Sequence, residues 1–192
     1  MKPIHFATIN KGKVELLRDQ LKKYNIEVIH ENIEIQEPRT DDLREIAKTK
    51  VLNAYDVIRK PVIAMDAGFY VDALNGFPKT FVNFALNTIG VDGILKLVEE
   101  KPRDCEFRNC LAYFDESLED PIYFESSVRG YLAETKKGDP HEYHWGDLFF
   151  VFIPEDKTKT LAEMSKEEYY RWRDEREKDS LVPKFGVWYS KR

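Results

Sequence analysis

Pro61-Val62-Ile63-Ala64-Met65-Asp66-Ala67-Gly68-Phe69-Tyr70-Val71-Asp72-Ala73-Leu74-Asn75-Gly76-Phe77-Pro78 is the stretch on which the reading of this chain turns. Val62 to Met65 is a short apolar run, which predicts a buried strand leading into Asp66-Ala67-Gly68. Phe69 to Leu74 follows, and Asn75-Gly76-Phe77-Pro78 is a strong turn signal. A carboxylate just past a buried strand is where a sheet of alternating strands and helices usually builds its site.

Toward the N-terminus, Ile4 to Thr8 predicts another buried strand, broken by Ile9-Asn10-Lys11-Gly12. Val14, Leu17, Leu21 and Tyr24 recur at helical spacing, and Ile26 to Ile35 alternates as a strand. Asp41-Asp42 opens a second helix with Leu43, Ile46, Ala47, Val51, Ala54 and Ile58 as its inner stripe. Toward the C-terminus, Ile89 to Val98 reads as a helix interrupted by Gly93. Glu106 to Phe114 and Ile122 to Ala133 read as long antiparallel strands. A polar loop, Lys136 to Trp145, precedes a strand at Leu148 to Ile153. Ser165 to Lys178 is a charged helix, and Leu181 to Arg192 a tail containing Pro and Gly. Early alternation with late strands predicts a mixed α/β fold around one sheet, in a single domain spanning 1–192.

The chain has 192 residues, 42% hydrophobic and 13% aromatic, which is ample material for a core. Its net charge of −5 gives no long-range attraction to nucleic acid or acidic membranes, so neither is expected as a partner. Any phosphate site must be a local gathering of basic groups and backbone amides. No apolar run reaches membrane-spanning length, and Met1-Lys2-Pro3 is not followed by a signal-peptide core. Cys105 and Cys110, the only cysteines, are an odd number apart in one strand and point to opposite faces. Unpaired core thiols fit a reducing, cytoplasmic setting.

Three groups of residues can carry chemistry. Thr8-Ile9-Asn10-Lys11-Gly12-Lys13 lies where a strand ends and a helix begins, and the free N–H groups and dipole of a helix start attract phosphate. The same residues serve equally as an Asn10 cap beside solvated lysines. Glu37 and Asp66 each follow a strand and can hold Mg²⁺ against substrate phosphates, or act as surface charge and turn cap. Asp66, beside a flexible Gly68, can also accept a proton from attacking water. Trp145-Gly146-Asp147 combines a stacking ring with a carboxylate. His141 and His144 would converge on a metal only on a helix, against which Gly138 and Pro140 argue. Arg171, Arg173 and Arg176 alternate with acids as a solvated face.

In this order, the segments resemble the inosine-triphosphate pyrophosphatase family. The family's opening Thr-x-Asn-x-x-Lys is matched by Thr8, Asn10 and Lys13, and its Pro-Glu segment by Gln36-Glu37. Pro61 to Pro78 follows its central pattern, while Ile94-Leu95-Lys96-Leu97, Ile153-Pro154-Glu155 and Thr160-Leu161-Ala162-Glu163-Met164 fall in register. The resemblance implies an elongated two-lobed fold with a central cleft, a homodimer, and Mg²⁺-dependent hydrolysis of a nucleoside triphosphate to monophosphate and pyrophosphate. Purine substrates outside the standard set, such as ITP, XTP and dITP, are implied. Thr8, Asn10 and Lys13 would hold phosphates, and Ala67, Gly68, Trp145 and Asp147 would complete the substrate contacts. Glu37 and Asp66 would bind metal, with Asp66 as base. The chain departs from the pattern at Leu16, Met65, Ala67, Lys79, Tyr169 and Arg173-Asp174-Glu175. A catalytically weak relative that binds a nucleotide or a protein partner is therefore the alternative.

Overall fold

Strand β1 (Lys2–Ala7) buries Ile4, Phe6 and Ala7 and lies parallel to β2 (Ile26–Glu31). Helix α1 (Lys11–Leu21) makes the crossover that a parallel pair requires, burying Val14, Leu17 and Leu21 along one stripe. In this computed structural model, which describes residues 1–141 and 146–192, the further elements are α2 (Leu43–Ile58), β3 (Val62–Val71), β4 (Pro78–Lys79), α3 (Val82–Thr88), α4 (Gly90–Leu97), β5 (Asp104–Phe114), β6 (Ile122–Leu132), β7 (Phe152–Pro154), α5 (Lys166–Glu175) and α6 (Leu181–Ser190). The seven strands form one sheet in the order β2-β1-β3-β5-β6-β7, with β4 paired to β3. β1 is parallel to β3, whereas β4 and β7 are antiparallel to their neighbours, so the fold is mixed α/β as expected.

The chain divides into two compact units. The first comprises 1–67, 109–126 and 178–192. Here the two-residue period of the strands sends alternate side chains to two separate cores. Ile63 and Met65 of β3, with Leu111 and Tyr113 of β5, pack under α1 and α6 with Val14, Leu17, Leu21 and Phe185. Val62, Ala64, Cys110 and Ala112 face the other way, against Ala47, Val51 and Ala54 of α2. So many alanines keep α2 close to the sheet. The second unit, 68–108 and 127–177, centres on Phe69, Phe107 and Phe152, whose rings meet at 4.7–6.2 Å.

Several expectations need correction. β3 does not stop at Met65 but continues through Asp66, Ala67 and Gly68 to Val71, so Asp66 lies within a strand and not beyond one. Gly68 is no flexible joint: a Cβ there would lie 2.8 Å from the Lys79 carbonyl oxygen, so its lack of a side chain permits close packing. β2 ends at Glu31, leaving Glu37 in the following loop. Helix α3, unread in the sequence, carries Val82, Ala85 and Leu86 at helical spacing, with Ala85 buried and the other two packed against the Phe69 core, and α4 runs through Gly93 unbroken. Leu148 to Ile153 is a short 3-10 turn (Asp147–Phe150) followed by β7.

The tail is a core helix. α6 buries Leu181, Val182, Phe185 and Tyr189, and its Pro183 sits in the first turn, where no intrahelical N–H bond is lost. Tyr189 fastens it to β1, donating from its hydroxyl to the Pro3 carbonyl at 2.8 Å.

Candidate active site

Asp66 is the next residue after Val62 and Ala64 on the α2-facing side of β3. Lys50 lies on the inward stripe of α2, four residues after Ile46 and four before Ala54. Because the alanine contact holds helix and strand close, the two side chains meet: Lys50 Nζ donates to Asp66 Oδ1 at 3.1 Å. The same ammonium donates to Glu37 Oε1 at 2.6 Å. Glu37 and Asp66 are thus brought together, though neither follows a strand end, and one lysine spans them. Lys50 was not singled out from the sequence. The available signal was its place on an otherwise apolar helix stripe.

The phosphate-loop candidates enter from β1. Asn10 is the N-cap of α1, its Oδ1 accepting from Lys13 N–H at 3.1 Å. Thr8 Oγ1 accepts from the Asn10 N–H at 3.1 Å. Both oxygens therefore shape the turn, so the capping role is realised, while the Asn10 amide and Thr8 hydroxyl keep donor capacity. Lys13 is half-buried and belongs electrostatically to the acid pair. Burial pulls its ammonium below the ordinary range, and nearby Lys50 adds to this, against the attraction of Asp66 and Glu37.

Burial pushes the Asp66 carboxyl above its ordinary range, against the pull of Lys50 and Lys13, with Glu37 adding like-charge repulsion. For Lys50, burial works to lower the pKa, but the charges of Asp66 and Glu37 outweigh it and the net shift is upward. One ammonium serving two carboxylates gains more than a buried carboxylate that also faces a second acid.

The other candidates are placed as follows. Ala67 is partly exposed and Gly68 buried, both in β3. Asp147 is exposed at the start of its turn in the second unit. Trp145 and His144 lie outside the described residues, and His141 stands in a segment without helix or strand. Among the described residues, no three His, Cys, Asp or Glu side chains gather as a metal cluster. Met65 points away from Asp66 into the α1–α6 core. Glu15 pairs with Arg18 at 2.9 Å on the exposed side of α1. Tyr169 is buried against Phe149, and the Arg173 guanidinium stacks 4.4 Å from the Tyr170 ring.

Residues 4–175 match the model of the Ham1 family. The dITP/XTP pyrophosphatase of Saccharolobus solfataricus is 39% identical over 179 residues, 88% of this chain and 85% of that protein. That of Methanopyrus kandleri is 34% identical over 185 residues, 96% of this chain and 94% of its own. Among solved structures, a HAM1 protein from Coxiella burnetii superposes with a TM-score of 0.80 at 19% identity, covering 100% of both chains. The Staphylococcus aureus Ham1 protein does so with a TM-score of 0.64 at 24% identity, over 87% of this chain and 88% of that one. These two support the fold alone. With a family match across most of its length and relatives of this identity, the chain belongs to the Ham1 family, the inosine-triphosphate pyrophosphatases that its sequence resembles.

Proposed function

We propose that this chain hydrolyses purine nucleoside triphosphates outside the standard set, with dITP and XTP foremost, to the nucleoside monophosphate and pyrophosphate. The observation that carries the reading is the acid pair, Glu37 and Asp66, converged on one ammonium and electrostatically coupled to Lys13 at the start of α1. Relatives named dITP/XTP pyrophosphatase supply the substrate class.

The donor set fits Mg²⁺. Two hard carboxylate oxygens already share one cation, and Mg²⁺ ordinarily takes one or two carboxylates plus phosphate and water oxygens. Glu37, its side chain 50% exposed, and Asp66 would hold it. When bound, the ion would neutralise phosphate charge and orient the chain of phosphates. Thr8, Asn10 and Lys13 would bind phosphate oxygens at the helix start, with Ala67 and Gly68 alongside. Asp66 would take the proton of the attacking water as its oxygen bonds to the α-phosphorus and the bond to the bridging oxygen breaks, releasing pyrophosphate. Asp147 and Trp145 would contribute base recognition. A homodimer in a cytoplasmic nucleotide pool completes the reading, and light scattering would test the dimer.

A weak or inactive relative that retains nucleotide or partner binding is the second reading. It is favoured by Met65, whose side chain is packed in core, and by Ala67, which carries no hydroxyl. A pyrophosphate-release screen over ITP, XTP, dITP and the standard triphosphates separates the two. Release with Mg²⁺ that disappears in Asp66→Asn supports the hydrolase, whereas thermal-shift binding without turnover supports the second reading.

A further inference from the structure

We propose that His30 is a positioning residue for the phosphate loop, an inference that rests on the hydrolase reading above. Its Nε2 lies 2.8 Å from the Thr8 carbonyl oxygen. A carbonyl only accepts, so Nε2 carries the proton in this contact. The register sets the meeting: Phe6 pairs with His30 and Ala7 with Glu31, so Thr8, just past the end of β1, falls beside the last residues of β2. The Thr8 N–H in turn donates to the Glu31 carbonyl at 3.1 Å. Glu31 is itself clamped, its Oε1 lying 2.6 Å from Nδ1 of the buried His5. Both backbone groups of Thr8 are therefore held by β2, while Thr8 Oγ1 receives the Asn10 N–H that starts the cap of α1.

The loop must be rigid because the orientation of its donors is what a phosphate group reads, and a misplaced donor weakens binding without touching the base. His30 supplies the one side-chain contact in this set that reaches Thr8 from the neighbouring strand. Removing it frees the Thr8 peptide to rotate and, with it, the hydroxyl and cap that follow.

The test measures pyrophosphate release from dITP and XTP, and calorimetric binding of inorganic tripolyphosphate, for the wild-type chain and for His30→Ala, His30→Gln and His30→Asn. A glutamine amide nitrogen reaches the place of Nε2, whereas that of asparagine reaches only the place of Nδ1. Ala and Asn are expected to raise KM and weaken tripolyphosphate binding about tenfold, the worth of one well-made hydrogen bond, with kcat little changed. Gln is expected to restore both. Wild-type behaviour in His30→Ala, equal impairment in His30→Gln, rescue by Asn as well as Gln, or a fall in kcat with unchanged KM would each overturn the assignment while leaving the hydrolase reading intact. A wild-type chain that neither turns over nor binds tripolyphosphate would fell both together.

Discussion

Lys50 Nζ lies 3.1 Å from Asp66 Oδ1, and the two side chains keep only 12% and 11% of their surface in contact with solvent. Burying opposite charges is worth little by itself, but removing one partner strands the other. Lys50→Met should therefore cost about 3 kcal/mol at neutral pH, since Asp66 is left ionised beside Glu37. The loss should shrink at acidic pH, where Asp66 is protonated, and in the Lys50→Met/Asp66→Asn double variant. Urea unfolding at the two pH values reads this. An equal loss at both would mean that packing of the lysine stem, and not the charge pair, is what matters.

The raised pKa of Asp66 in the metal-free protein bears on folding, and its ionisation bears on turnover. Because its folded value lies above its unfolded one, its contribution to stability is fully present below the unfolded value and is lost as pH rises through the folded one. Turnover is read with Mg²⁺ bound, whose charge pulls a ligating carboxyl back down, and a base must be ionised, so the acid limb of kcat/KM should vanish in Asp66→Asn. Asp66→Asn should lower kcat by about 10²- to 10⁴-fold. An acid limb that persists in the residual activity of Asp66→Asn would show that Asp66 is not the base.

The sequence made the strands and the acid pair legible where one physical signal dominated. β1 and α1 announced themselves by buried runs and a helical stripe, and the opposite-facing Cys105 and Cys110 occupy separate cores as strand geometry requires. Burial leaves them inert, pushing the Cys110 thiol up to about 12. What failed was local grammar overridden by packing. The tail with Pro183 and Gly186 read as no helix, yet it is one, with the proline in its first turn and the glycine against a ring. Asp66 read as lying just past a strand, and the charges of Lys50 on α2 and Lys13 on α1 are what make it tolerable inside β3. Lys50 interrupts an otherwise apolar stripe, but nothing local distinguishes a lysine that snorkels from one that pairs.

Asp115 ties the C-terminal helix to the β5–β6 connection. It accepts from the Tyr113 hydroxyl, from Ser117 N–H at 3.0 Å and from Arg192 Nη2 at 3.0 Å. Burial works to raise its pKa, but these hydrogen bonds and the Arg192 charge hold it below the ordinary range. Its stabilisation is therefore present above the unfolded value and lost as pH falls through the folded one. Asp115→Ala should cost about 1–3 kcal/mol at neutral pH and flatten the acid-side decline in stability. An unchanged acid-side profile in thermal melts would assign that decline to other groups.

Gly186 gives the sharpest conflict between local and tertiary preference. In an exposed helix, Gly→Ala gains about 1 kcal/mol, because alanine loses less backbone entropy on folding. Here a Cβ would lie 2.4 Å from Cδ2 and 2.7 Å from Cε2 of Tyr24, which follows α1 and packs on the same core. The ring must move or α6 must lift from β1, and lifting α6 would break the Tyr189–Pro3 hydrogen bond. Overpacking costs about 1–3 kcal/mol, so Gly186→Ala should be destabilising on balance in spite of its propensity. Trimming the ring in Tyr24→Ala/Gly186→Ala should recover part of that loss relative to Tyr24→Ala alone, and the double variant should then show the helix-propensity gain. Chemical denaturation of the four proteins in this cycle decides it. Additive effects would mean that Tyr24 swings aside freely, and that α6 is held by Phe185 and Tyr189 without any need for glycine at this contact.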